Sequence, residues 1–173
     1  TKKTTAAFEP ALDYCVVKIP RWPFDKFPTG DRRLGTQMKA TGEVMAIDRS
    51  FEAALQKAVR SLENGRGSLL WEDRGWRDDP PSLAADDDRM WKLAFHMRRG
   101  MSAEDASRAT GIDPWFTRSI ARIVGMEKRL LSAPMTPALM RDAKRLGFSD
   151  SQIATLSDSL PERVREQRKA CGL

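Results

Sequence analysis

The sequence has one histidine, one tyrosine and two cysteines among 173 residues, and each shortage removes a class of chemistry. His96 stands between Phe95 and Met97, and at a spacing of four it meets only Lys92 and Gly100. That is not metal-ligand spacing, so a structural or surface role is expected. Cys15 and Cys171 lie far apart, with no CxxC partner and no nearby histidine, and they read as two reduced thiols of a cytosolic protein. No apolar run approaches the ~18 residues of a membrane span. The first seven residues are small and polar without an apolar core, unlike a signal peptide. There is no initiator Met and the pattern becomes structured at once, which leads us to expect a segment cut from a longer chain. A glycine-rich phosphate cradle is also missing. Gly65-Arg66-Gly67-Ser68 follows a helical stretch instead of opening one, so it lacks the helix N-terminus that would face an anion.

What is present is ordinary for a globular protein: 40% hydrophobic and 31% charged residues, in a length suited to one domain or a small domain with an appendage. The formal charge of +6 keeps nucleic acid open as a partner. The basic residues are interleaved with acids, however, as where Arg163, Arg165 and Arg168 accompany Glu162 and Glu166, which favours a solvated face.

The first ~47 residues differ from the rest. Tyr14 to Ile19 is rich in β-formers and should stop at Pro20, which cannot donate to a ladder. Pro20, Pro23 and Pro28 mark an extended loop carrying Trp22, Phe24 and Phe27, and Glu43 to Ile47 reads as a second short strand. Two such strands do not make an independent sheet, so they look like the end of one whose other strands lie elsewhere.

From Ser50 the period becomes helical. Phe51, Ala54, Leu55, Ala58, Val59 and Leu62 form one apolar stripe, with Ser50 as N-cap and Asn64-Gly65 as stop. Residues 65–82 read as a loop, and the acids Asp86, Asp87 and Asp88 open a helix that carries Met90, Trp91, Leu93, Ala94, Phe95 and Met97 and ends at Gly100. Further starts are marked by Ser102, Asp113-Pro114, Thr136-Pro137, Ser149 with Gln152, and Ser159 with Glu162. The longest helix, Pro114 to about Leu131, should bury Trp115, Phe116, Ile120, Ile123, Val124, Leu130 and Leu131. The sum is six or seven short helices. A faint echo joins Gly100-Met101-Ser102 to Gly147-Phe148-Ser149 and Pro114 to Pro161, which duplication and chance recurrence of helix punctuation explain about equally.

Convergent polar groups are scarce. Asp86-Asp87-Asp88 could hold a cation, but adjacent carboxylates at a helix start point apart. Ser102 to Ile123 has a helix-turn-helix outline, yet the second helix opens on the bulky, apolar Pro114-Trp115-Phe116 where a DNA reader needs polar side chains. Core burial fits those residues better. For self-association, Trp71, Trp76, Trp91 and the methionines are candidates, with core packing as the competing use.

The most specific signal runs over residues ~7–63: Phe8-Glu9-Pro10, Asp13-Tyr14, Lys18-Ile19-Pro20-Arg21-Trp22, Phe24-Asp25-Lys26-Phe27, Asp31, Leu34-Gly35-Thr36-Gln37-Met38-Lys39-Ala40-Thr41-Gly42-Glu43-Val44-Met45-Ala46-Ile47, Arg49-Ser50-Phe51-Glu52 and Leu55-Gln56-Lys57-Ala58. It resembles the middle of the large subunit of glutamine-dependent carbamoyl phosphate synthetase. Trp115-Phe116, the stripe around Glu127, and Lys144-Arg145 with Gly147-Phe148-Ser149-Asp150 fit the same family more loosely. Trp22, where the family often has Phe, and the acidic, Pro-rich stretch at 78–88 depart from it and touch only packing and a loop.

The resemblance implies a mainly α fold: a multi-helix oligomerisation domain of short helices over 49–173, preceded over 1–48 by two short strands left from an ATP-grasp domain. It implies a cytoplasmic parent ligase that makes carbamoyl phosphate from bicarbonate, glutamine-derived ammonia and two ATP for arginine and pyrimidine synthesis. ATP with Mg or Mn, and potassium, would serve that parent at residues upstream of this segment. No catalytic, cofactor-binding or metal residue is therefore expected here. The implied partners are further copies, through the helical domain, and the small glutaminase subunit, with no nucleic acid and no membrane. The alternative is a basic helical adaptor or nucleic-acid-binding domain, which leaves Lys18-Ile19-Pro20-Arg21 and Gly42-Glu43-Val44-Met45 unexplained.

Overall fold

A computed structural model describes Thr5, Ala7 and residues 11–173; the Phe8-Glu9-Pro10 motif lies outside the described residues. Strands β1 (Cys15–Arg21) and β2 (Gly42–Asp48) form an antiparallel ribbon. Seven α-helices follow: α1 (Phe51–Ser61), α2 (Arg89–Arg98), α3 (Ala103–Thr110), α4 (Pro114–Ser132), α5 (Pro137–Arg145), α6 (Asp150–Leu156) and α7 (Pro161–Ala170). The chain is mainly helical, as its periodicity predicts.

β1 does not stop at Pro20, where the ring was expected to end it. It continues to Arg21, with Pro20 opposite Glu43. In a two-stranded ribbon each strand has an open edge, so a residue whose N–H would point off the ladder can be proline at no cost in pairing. Alternation then divides the faces. Val17 opposite Ala46 and Ile19 opposite Val44 turn inward, while Val16 opposite Ile47 and Lys18 opposite Met45 turn outward.

The inner face lies on α1. Ser50 caps that helix, its Oγ accepting from Ala53 N at 3.3 Å. The expected stripe of Ala54, Leu55, Ala58 and Val59 is buried, but so are Glu52, Ala53 and Gln56 on its far side. The reason is a second layer. Gln152 Nε2 donates to Gln56 Oε1 at 2.9 Å, Gln56 Nε2 donates to Leu146 O at 2.8 Å, and Arg60 Nη1 donates to Gly147 O at 2.8 Å. These bonds satisfy amides that burial would otherwise penalise. Gly147 has φ +89 and lies against Ala53, so only a residue without a Cβ fits. The helix ends at Ser61 and turns left-handed at Glu63, just before the Asn64-Gly65 stop.

Most caps occur where the residue types place them. Ser102 Oγ accepts from Asp105 N at 3.0 Å, Asp113 Oδ1 from Trp115 N at 2.8 Å and Thr136 Oγ1 from Leu139 N at 3.2 Å. Ser149 and Gln152 close a capping box. Ser159 with Glu162 does not. Pro161 takes the first helical position and forces its predecessor to be extended, so Leu160 is the N-cap of α7. Ser159 N instead donates to Ala154 O at 2.9 Å, closing α6. The 65–82 loop also holds one 3-10 turn, Arg74–Arg77, capped by Asp73.

α4 was expected to bury Trp115, Phe116 and Leu131, and here the structure differs: they are 52%, 42% and 65% exposed. With 19 residues, α4 overhangs neighbours of 7 to 11 residues. Phe116 falls on its buried stripe by helical angle but faces an open cavity shared with Phe51, Leu55 and Ile120, Leu131 is left uncovered beside a buried Leu130, and Trp115 points off the stripe. Ile120, Ile123, Val124 and Leu130 fill the middle as expected.

The sequence echo has a geometric counterpart. Gly100 and Gly147 are both left-handed, and the following residues donate back in the same way, Met101 N to His96 O and Phe148 N to Ala143 O, each at 3.1 Å. Ser102 and Ser149 cap α3 and α6 with almost the same dihedrals, Gly111 and Asp158 are both left-handed, and Pro114 and Pro161 open α4 and α7.

Two predictions follow from this packing. At Gly147 an added Cβ would sit 2.6 Å from Ala53 Cα, whereas at Gly125, inside α4, it would meet nothing within 4 Å. Gly147→Ala should cost about 2–4 kcal/mol from left-handed strain plus overpacking, and Gly125→Ala should gain roughly 0.5–1 kcal/mol of helix propensity, both read by urea unfolding. The second concerns Asp150, which receives Lys144 Nζ at 3.0 Å and Arg168 Nη2 at 3.1 Å. Burial alone would raise its pKa, but the bonds from Arg168 and Lys144 outweigh that and hold it below the usual value. A lowered folded pKa contributes stability above the unfolded value of ~4, lost as pH falls through the folded one. The urea midpoint should therefore drop as pH falls below about 4, and Asp150→Asn should flatten that drop. An equally steep acid limb in the variant would contradict the assignment.

Candidate functional site

The described residues offer surfaces for assembly before they offer a reaction centre. The outer face of the ribbon carries Val16, Met45 and Ile47, all exposed, beside an exposed Lys18–Glu43 ion pair of 3.0 Å, and Tyr14 just before β1 is exposed as well. A ribbon apolar on both faces, with two open edges, has the chemistry of a buried sheet element. In the helical layer the starts of α1 and α4 form a second patch. Phe51, Trp115 and Phe116 meet edge-on with ring centroids 5.0 to 5.3 Å apart. Glu52, buried beside them, accepts from Arg122 Nε at 2.6 Å.

Between the strands, residues 22–41 form a strap held by charge. Arg21 grips Asp25 through both nitrogens at 3.1 and 2.7 Å. That bond is the main cause that lowers the Asp25 pKa. Lys39 Nζ donates to Asp31 Oδ2 at 2.8 Å and to Arg33 O at 2.6 Å, and its bond lowers the Asp31 pKa. Further on, Arg32 donates twice to Asp87 at 2.7 Å and to Asp88 at 2.6 Å, and Leu34 N donates to Ala85 O at 2.7 Å. The bond to Asp87 chiefly raises the Arg32 pKa.

The three acids at 86–88 are therefore counter-charges. Asp86 pairs with Lys92, Asp87 with Arg32, and Asp88 with Arg32 and Arg66. Asp88 occupies the N-cap of α2 without capping it, because its carboxylate is drawn to those guanidinium groups. His96 is structural: its Nε2 lies 2.7 Å from Pro81 O and its ring packs edge-on against Phe95. Gly65 to Ser68 is a packing loop. The Arg66 guanidinium lies 4.4 Å from the Trp71 ring and 4.6 Å from that of Trp91, and Trp91 Nε1 donates to Ser68 O at 2.9 Å. Cys15 and Cys171 are half-buried free thiols.

The tryptophans offered as self-contact candidates belong to the interior. Trp91 is buried, and Trp71 and Trp76 pack on the core, where Trp76 also meets Phe95 at 5.6 Å. The aromatics exposed in the helical layer are Trp115 and Phe116. The helix-turn-helix outline exists as α3, a left-handed Gly111 and α4, with Arg118 paired to Glu104 at 3.0 Å. One element had no sequence signal. Arg98 donates to buried Glu127 at 2.7 and 3.1 Å, to Glu72 at 2.9 Å and to Leu69 O at 2.6 Å. Burial would lower its pKa, and Glu127 with Glu72 more than offsets that. The contact spans 29 residues, beyond any local pattern. Among the described residues no group of three or more His, Cys, Asp or Glu side chains converges as a metal site, and no helix is long and apolar enough to cross a membrane.

Comparison with known proteins agrees with this picture of a helical assembly unit. Residues 43–172 match the family model described as the carbamoyl-phosphate synthetase large chain, oligomerisation domain. A carbamoyl phosphate synthase large chain from Thermomicrobium roseum is 59% identical over 178 residues, covering 100% of this chain and 16% of the relative. One from Caldanaerobacter subterraneus is 50% identical with the same coverage. A Methanopyrus kandleri protein named as the N-terminal section of the large chain is 45% identical, with 34% of its length covered. The chain thus spans about 16% of the length of the full-length relatives it matches. By the family match over most of its length and the identity over all of it, the chain belongs to the oligomerisation-domain family of the carbamoyl-phosphate synthetase large chain.

Proposed function

We propose that the chain is a non-catalytic scaffold within a carbamoyl phosphate synthetase large chain. The parent is an ATP-dependent ligase that uses bicarbonate, glutamine-derived ammonia and two ATP, with Mg or Mn and potassium, in a cytoplasmic setting. In this reading residues 1–48 are the trailing edge of an ATP-grasp domain and 49–173 the association domain. The relatives' name and the small share of their length spanned here support it. The carrying observation is that the ribbon is apolar on both faces, and only the inner one is covered by α1. The outer face is where the preceding part of the parent packs. The exposed apolar side chains of the helical layer, among them Trp115, Phe116, Leu131 and Leu160, are available for contact with a second copy. The small glutaminase subunit is the parent's other partner.

The reading has separable tests. Met45→Glu on the outer face should change the stability of the 173-residue chain by less than about 0.5 kcal/mol, since the residue is exposed there. In the full-length parent it should lower the melting temperature or the yield of soluble protein. Equal, negligible effects in both would contradict a covered outer face. The light-scattering mass of the chain should rise with concentration, and a monomer throughout argues against an association role. Mg-ATP should leave its melting temperature unmoved, and a reproducible rise would contradict a non-catalytic segment.

A further inference from the structure

A cavity of about 380 Å³ lies under the strap, between the ribbon's end and α1, α2 and α4. Its floor is core: Leu55, Leu62, Trp91, Leu93 and Ile120, all buried. Trp22 and Phe24 of the strap stand over it. The cavity opens to solvent on one side, and its volume falls within the roughly 300 to 1,000 Å³ of ligand pockets. The strap could have closed the space with its own apolar residues, yet Phe27 and Met38 are exposed, 62% and 90%. Ion pairs at its two ends hold the strap instead, Arg21 to Asp25 and Arg32 to Asp87 and Asp88.

The polar groups on the wall define what fits. Arg21, Arg32 and Arg66 are each committed to a carboxylate, and Arg89 donates to Leu83 O at 3.1 Å and Thr110 O at 2.6 Å. Asp25, Asp86 and Asp87 have their cations in turn. A charged ligand would have to break one of these pairs or enter the low-dielectric floor uncompensated, and both are costly. Asn64 also lines the wall. Its side-chain oxygen accepts from Arg66 N at 3.2 Å, which leaves the amide N–H groups to meet an acceptor. We infer that this cavity is a binding site for a neutral, largely apolar small molecule whose carbonyl or hydroxyl oxygen accepts from Asn64. Such a ligand touches the strap and three helices at once, so its binding ties the ribbon side of the chain to the helical side.

The test uses the neutral naphthyl ketone prodan, titrated into the 173-residue chain. Trp22 and Trp91 line the cavity and report occupancy by energy transfer to the probe. The expected result is saturable binding of one probe per chain and a raised melting temperature. The anionic anilinonaphthalene sulfonate should bind about tenfold more weakly or worse. Leu62→Trp fills the floor and should abolish binding. Asn64→Leu, at the half-buried rim, should weaken it severalfold while leaving the circular dichroism unchanged, and it decides the matter if the filled variant does not fold. Non-saturating uptake, tighter binding of the anion, indifference to Asn64→Leu, or loss of binding on Leu160→Ser, exposed and outside the cavity, in place of the cavity variants would overturn the assignment.

Discussion

An added Cβ on Gly147 would sit 2.6 Å from Ala53 Cα, so the turn between α5 and α6 rides directly on the backbone of α1. Everything else in the fold accommodates that approach. It requires a small residue on that face of α1, and Ala53 supplies it. It also buries two glutamines, Gln56 and Gln152, which bond to each other and to Leu146 O. On the opposite side the ribbon lays Val17, Ile19 and Ala46 against the same helix. α1 is therefore the shared wall of two layers. Neither the two-stranded ribbon, too small to stand alone, nor the short helices, none of which would be stable in isolation, needs to be self-sufficient.

Local punctuation made much of this legible. Ser50, Ser102, Asp113, Thr136 and Ser149 are N-caps where their types and spacing say so, because capping is decided within four residues. The misread positions are those where a neighbour in space, or a stronger local rule, decides. Pro20 is tolerated because its strand has an open edge. Pro161 overrides Ser159. Phe116 is exposed because it faces an open cavity, and Trp115 and Leu131 because no neighbour covers them, and no periodicity reports what lies beside a helix. The candidate surfaces divide in the same way. The alternation of the ribbon was readable, but its free outer face is a fact of topology. The strap's anchors, Arg32 to Asp87 across 55 residues, carry no local pattern at all.

The net charge of +6 does not mark which arginines hold the fold together. Arginines that look free in the sequence hold the strap, the α2 start and the end of α2: Arg32 on Asp87 and Asp88, Arg66 on Asp88, and Arg98 on Glu127 and Glu72. The exposed pairs contribute little to stability, while the buried Arg98–Glu127 pair is costly to break from one side only. Part of the basic complement therefore acts as internal ties between segments, and the surface also offers neighbours exposed apolar side chains. That pattern suits a unit whose work is to be packed against.

The central claim, that α1 is the common core of both layers, is tested most directly by native-state hydrogen exchange on the 173-residue chain. The amides of Leu55 to Val59 should be among the slowest and exchange only with global unfolding, while the ribbon and α7 open by smaller fluctuations. Exchange of those α1 amides at the rate of the ribbon, with α4 remaining protected, would show that the helical layer is stable without α1 and would contradict the account.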